Sequence, residues 1–192
     1  MTGALIAPNA DEFVSLFRSF RHTAYRLETL QSYGSSGEDA VFAAFLDGAR
    51  YQRHPGKVAW LDTIDRAQAA GCWMGRVHVV TEPLSDYMRF ELTWGYQPNV
   101  TAGEDIHILP VAEGESWPDL PRYDYWLFDS CELYRMHYAD DDAGTWLGVE
   151  HVINPAEVVQ AGAWRDIAWH HAIPWRDYVR VHPELVEHLP AG

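Results

Sequence analysis

Basic residues are scarce in this sequence: 14 Lys and Arg stand against 28 Asp and Glu, a formal net charge of −14. No run of Lys or Arg occurs anywhere. Bare nucleic acid and anionic lipid are bound by basic patches that displace counterions, so neither is expected as a direct partner. Long apolar runs are missing too, and nothing approaches the roughly 18 residues of a membrane span. The opening residues, Met1 to Pro8, lack the basic start and long apolar core of a signal peptide. Cysteine is nearly absent. Cys72 and Cys131 have no metal or redox spacing and read as two inert thiols in a reducing compartment, so a cytoplasmic protein is expected. Also missing are a phosphate-binding glycine loop, His-Glu-x-x-His, paired Cys-x-x-Cys and a Gly-x-Ser-x-Gly elbow. Without repeats, low-complexity stretches or linkers, the 192 residues read as one domain, large enough for a core without disulfides or metals.

What the chain has in excess is aromatic rings, 9 Trp and 10 Tyr. Such side chains bury large areas yet keep a polar handle, which implies an aromatic core or surface binding anchors. They are densest between Glu82 and Asp105, interleaved with ionisable residues. Pro83 and Pro98 bracket this stretch and bias the residues before them away from helix. As a strand, Met88, Phe90, Leu92 and Trp94 alternate with Arg89, Glu91 and Thr93. As a helix, Ser85, Asp86, Arg89 and Thr93 share one face, opposite Leu84, Tyr87, Met88, Leu92 and Gly95. Ser85 and Asp86 at the start and Gly95 at the end favour a helix over 85–94. Glu91 then falls among apolar neighbours, where a carboxylate must find a cation or a donor, or else hold a proton.

In chain order, Asn9 to Glu12 reads as a capping box that opens a helix ending near Phe20. Thr23 to Leu30 alternates as a strand, with Tyr25 and Leu27 opposed to Arg26 and Glu28. Helices are expected from Glu38, capped by Ser36, to Asp47 and from Lys57 to Ala70. Trp73 to Thr81 is a strand by its β-branched and aromatic content, and Asp105 to Leu109 is another. Pro110 to Arg122 is a polar loop. Tyr125 to Phe128, apolar on both faces, reads as a covered strand, followed by Glu132 to Tyr138 and Trp146 to Ile153 in a meander. Asn154 caps a helix that begins at Pro155 and runs to His171, and a last turn spans Trp175 to Val179. The expected fold is α+β: a mostly antiparallel sheet of about five or six strands with helices packed on it, and residues 183–192 as a loose tail.

The polar residues on these aromatic elements form a candidate ligand pocket: Tyr87, Arg89, Glu91, Glu104, Asp105, Arg135 and His137. Leu133, Arg135 and His137 share one strand face, and if that face meets the central helix, Arg135 is the partner for Glu91. Two readings stay open. One is a structural ion pair that docks helix on sheet; the other is a pocket where Arg135 holds an anion while Glu91 or His137 moves a proton. No metal or cofactor is expected. His170 and His171 point about 100° apart on a helix, His78 and His107 lack ligand-spaced neighbours, and Asp140 to Asp142 lack the rest of a calcium loop. Ser85 and Cys131 have no nucleophile context. Trp117, Trp164, Trp169 and Trp175 are either core or anchors for a protein partner.

Several blocks occur in one order: Phe17 to Glu28, Val80 to Leu92, Gly95-Tyr96 with Asn99 and Ala102 to Ile106, Tyr125 to Asp129, and Arg135 to Tyr138. Together they resemble an uncharacterised actinobacterial family, a domain of unknown function often encoded near helix-turn-helix regulators. The resemblance runs from about Phe13 to Tyr178. That family has no established reaction or catalytic residues to carry over. Its gene neighbourhood implies an accessory or regulatory protein acting through protein–protein contact, with a transcriptional regulator as partner. The alternative is an enzyme or small-anion sensor using the Arg/Glu/His pocket.

Overall fold

The computed structural model describes residues 4–34, 38–115, 117–141 and 144–190. Among these, eight strands form one open mixed sheet: β1 (Leu5–Ile6), β2 (Thr23–Glu28), β3 (Trp73–Glu82), β4 (Asp105–Ala112), β5 (Tyr125–Phe128), β6 (Glu132–Tyr138), β7 (Trp146–Val152) and β8 (Ile173–Pro174). Their spatial order is β1-β7-β6-β5-β2-β3-β4-β8. The fold is therefore α+β with more strands than expected, and its centre is parallel: β2 with β3 and β3 with β4. The remaining pairings are antiparallel, including the expected β5-β6-β7 meander. The parallel centre follows from the connections, since each pair of parallel strands is joined by a helical crossover.

α2 (Asp39–Leu46) and α3 (Pro55–Ala69) lie between β2 and β3 in the chain. The second crossover joins α4 (Asp86–Phe90), a π turn (Glu91–Gly95) and α5 (Tyr96–Ala102). The helix expected over 85–94 thus exists, but it does not stop at Gly95. It widens by one residue per turn and continues past Pro98 to Gly103, whose φ of 110° closes it. A π turn and an internal proline leave carbonyls without their usual intrahelical donors. Side-chain donors reach three carbonyls of this segment. Trp175 Nε1 donates to Leu92 O (2.8 Å), Lys57 Nζ donates to Gly95 O (2.9 Å), and the Thr93 hydroxyl donates to Arg89 O (2.6 Å).

The sheet is covered on both faces. α6 (Pro155–His171), capped by Asn154, lies on one face over Tyr25, Leu27, Val77, Tyr125, Leu127 and Leu133. α1 (Asp11–Ser19) and α3 cover Ala24, Met74, Trp126 and Phe128 on the other. On that same face the second crossover, α7 (Trp175–Val181) and α8 (Pro183–Val186) bury Val80, Ile106 and Ile108. Trp175 is core, while Trp117, Trp164 and Trp169 pack part-buried against the α6 side.

Two local expectations change, and others fall outside the described residues. The cap of α1 is Ala10, with no side-chain bond, rather than Asn9. The Ser36 cap lies outside the described residues, as does part of the Asp140–Asp142 loop. Residues 183–190 are docked: Leu185 is fully buried, and Trp94 and Gln97 donate to the carbonyls of His188 and Pro190.

Candidate functional site

Strand alternation sends Arg26 and Glu28 of β2, and Arg76 and His78 of β3, to the face that carries α1 and α3. Register sets Arg26 opposite Arg76 and Glu28 opposite His78. Two guanidiniums side by side need acids between them, and three converge. Glu28 accepts Arg76 Nη1 at 2.9 Å and lies 3.1 Å from Arg26 Nη2. Glu104, just beyond the glycine that ends α5, accepts Arg76 Nε (2.7 Å), Asn99 Nδ2 (2.8 Å) and Trp60 Nε1 (3.4 Å). Asp124, just before β5, accepts the Thr29 N–H and hydroxyl and the hydroxyls of Tyr33 and Tyr138, all within 3.0 Å. Every partner of Glu104 and Asp124 is a donor, so both act as acceptor-only carboxylates.

Burial pushes the Glu28 carboxyl up, but Arg26, Arg76, His78 and the Tyr96 hydrogen bond outweigh it and hold it well below the usual range. Burial lowers the two arginines, and their acids more than restore them. His78 is pulled down by desolvation, against Glu28. Its ring closes a chain: Nε2 lies 2.8 Å from Leu30 O, Nδ1 lies 2.7 Å from the Tyr96 oxygen, and that hydroxyl lies 2.6 Å from Glu28 Oε2. With Glu28 held as a carboxylate, the Tyr96 hydroxyl donates to it, and His78 donates Nε2–H to Leu30 O.

Above this network a cleft of about 610 Å³ opens between α1, α3 and the sheet. Phe17, Trp60, Trp126, Tyr138 and Trp146 supply aromatic walls, and Arg26, Glu28 and Arg76 lie at the floor. Arg26 Nε has no partner among the described residues but is sealed from solvent, out of a ligand's reach. Glu38, Lys57 and Glu91 line the cleft beside the π turn. Lys57, the only lysine in the sequence, is held by Gly95 O and by Asn99 Oδ1 at 3.2 Å. Glu91 is partly buried, and its carboxylate folds back over Gly95. Desolvation and the nearby Glu38 raise it to about 7 against the pull of Lys57 and Arg76.

Of the seven residues singled out in the sequence, the structure brings Tyr87, Glu91 and Glu104 to this region. The expected Arg135–Glu91 pair does not form. Arg135 reaches Glu157 (3.0 Å) and Glu150 (3.7 Å), and His137 reaches Glu150 (3.0 Å), on the α6 face. Arg89 pairs with Asp86 on the surface, and Asp105 accepts Trp73 Nε1 and lies 3.3 Å from His107. The missed residues are Arg26, Glu28, Arg76, His78, Lys57, Tyr96 and Asp124. Arg76 and His78 carried the clearest signal, being ionisable groups inside the most confident strand. Among the described residues no three His, Cys, Asp or Glu side chains converge as metal ligands.

Comparison with known proteins gives one family and a set of similar structures, of which two follow. A family model described as "Domain of unknown function (DUF6879)" matches residues 11–180. No curated protein matches the sequence. A phospholipase D family member, Nuc from Salmonella typhimurium, is 10% identical at a TM-score of 0.49, covering 91% of this chain and 95% of that one. NucT from Helicobacter pylori is 9% identical at a TM-score of 0.49, covering 90% of this chain and 98% of that one.

Proposed function

We propose, for a chain that belongs to the DUF6879 family of domains of unknown function, that the cleft binds a small molecule and that Glu91 exchanges a proton with it. One observation carries this reading: an aromatic-walled cleft of about 610 Å³ opens over a buried ion network, with a partly buried carboxyl beside it that titrates near neutrality. The volume lies within the roughly 300–1,000 Å³ typical of small-molecule sites. Burying several charges under apolar walls is a poor way to gain stability, because desolvation offsets most of the attraction. A group poised near pH 7 is suited to general acid–base chemistry or to charge-dependent binding. The floor arginines are matched by acids, which argues against the small-anion sensor that the sequence offered as part of its alternative reading.

The test is a nuclear magnetic resonance screen of small aromatic fragments against the intact protein. Saturable shifts should gather at Trp60, Trp126 and Glu91. A screen in which no fragment perturbs those residues contradicts the reading.

A second reading keeps the chain as an accessory protein that contacts a partner such as a transcriptional regulator. Ile153 and Val159, about three-quarters exposed at the start of α6, favour it, as does a net charge of −14 suited to a basic partner. If a regulator that co-purifies with the wild type binds Ile153→Asp equally well, this surface is not the contact.

A further inference from the structure

We infer that the ligand of this cleft is a flat aromatic ring bearing a neutral acceptor, a carbonyl of the ketone, amide or lactam kind, and that Arg26 and Trp126 hold its oxygen. The inference rests on the proposed small-molecule site and adds the ligand's chemical class. Most donors around the cleft floor are already spent. Arg76 uses all three guanidinium nitrogens, with Nε and Nη2 on Glu104 and Nη1 on Glu28. The Tyr33 and Tyr138 hydroxyls donate to Asp124. Trp60 Nε1 donates to Glu104, and Trp146 Nε1 donates to Gly148 O.

Arg26 and Trp126 differ. Arg26 engages its neighbours through Nη2 alone, with Glu28 at 3.1 Å, Asp124 at 3.6 Å and the Tyr138 oxygen at 3.4 Å. Its Nη1 has no partner among the described residues, and neither has the indole Nε1 of Trp126. Unlike Arg26 Nε, these two atoms are not sealed from solvent. The two side chains are neighbours by register, Arg26 on β2 opposite Trp126 on β5, with the guanidinium carbon 5.7 Å from the Trp126 ring centre. Both line the cleft. A ligand that excludes water from this floor must bring an acceptor to them or leave two buried donors unpaired.

The acceptor is neutral because the floor already holds its own anions. Glu28 and Asp124 stand within 3.6 Å of Arg26, so a carboxylate at Nη1 would face two buried carboxylates across one guanidinium. A carbonyl oxygen takes the same hydrogen bonds without adding charge. An amine in its place would set N–H against N–H. The walls select the ring: Phe17, Trp60, Tyr138 and Trp146 line the space beside Trp126, and aromatic faces and edges pack well against another flat ring.

Three monosubstituted benzenes separate the possibilities: acetophenone (a neutral acceptor), aniline (a neutral donor) and benzoate (an anionic acceptor). Titrating each into the full chain at neutral pH, and following the indole N–H resonances by nuclear magnetic resonance, reads affinity and contact together. Acetophenone should bind at least roughly tenfold more tightly than aniline or benzoate. It should also move the Trp126 indole proton downfield, as a new hydrogen bond does. The Trp60 and Trp146 indole protons, bonded already, should show no downfield shift. Trp126→Phe keeps a ring and removes the donor, so acetophenone affinity should fall roughly fivefold while that of aniline changes less than about twofold. Aniline or benzoate binding at Trp60 and Trp126 as tightly as acetophenone overturns the acceptor inference and leaves the ligand site standing. Acetophenone bound there with the Trp126 proton unmoved or moved upfield does the same. If none of the three probes shifts those residues, both the inference and the ligand site are overturned.

Discussion

Glu91 was legible in the sequence as an acid out of place on an apolar helix face, and the structure gives it the choice foreseen, a cation or a proton. Its neighbours were not legible. Arg135 was chosen because its strand had an obvious polar face, but alternation alone does not say which face meets which helix. Arg26 and Glu28 alternate with Tyr25 and Leu27 as a solvated strand would, and only the helices packed on each side of the sheet show that both faces are covered. A consequence for stability follows. The folded Glu91 carboxyl sits at about 7 against a reference of 4.5, so the folded state binds the extra proton between those values and stability falls as pH rises through that window. Ionising it in place costs at most about 3 kcal/mol, less whatever solvent reaches it. Glu91→Gln, shaped like the protonated acid, should therefore stabilise the protein against urea at pH 8 by up to about 3 kcal/mol, and by almost nothing below pH 5. An equal effect at both pH values contradicts this.

At the scale of the element, the second crossover shows where local rules stop. Ser85 caps α4 as its sequence suggests, donated to by Met88 N at 3.1 Å. Gly95 and Pro98 are ordinary stop signals, yet the helix passes both, and Lys57 and Trp175, each far away in the chain, donate to the carbonyls of Gly95 and Leu92 there. No local pattern encodes those donors. The parallel centre was more nearly readable: strands at Thr23 and Trp73 separated by helices are the pattern of a crossover unit. The π turn also makes Gly95 a positioning residue. A Cβ there would lie 2.5 Å from Glu91 Oε2 and 2.7 Å from its Cδ, so the carboxylate must move. Only the end of a flexible side chain is displaced, and Ala suits helices better than Gly. Gly95→Ala should thus change stability by less than about 1 kcal/mol. The midpoint of the Glu91 titration should nevertheless move away from about 7, since its carboxylate is displaced. An unchanged Glu91 titration would show that the glycine positions nothing.

Across the whole molecule, one sheet separates two polar regions that the sequence had merged. The Arg135, His137, Glu150 and Glu157 group lies on the α6 side, and the Arg26, Glu28, Arg76 and His78 group lies on the cleft side. The abundance of tryptophan resolves in the same way, with some rings filling the core and Trp60, Trp126 and Trp146 walling the cleft. The α+β class and the acidic balance were readable because they depend on composition and periodicity. The cleft was not, because it is made where a strand pair, a crossover helix and the first helix meet. The measurement that tests this cleft most directly is the titration of the Glu91 side-chain carboxyl carbon by nuclear magnetic resonance, assigned by its absence in Glu91→Gln. A midpoint near 7 is the expected result; a midpoint near 4.5 contradicts it.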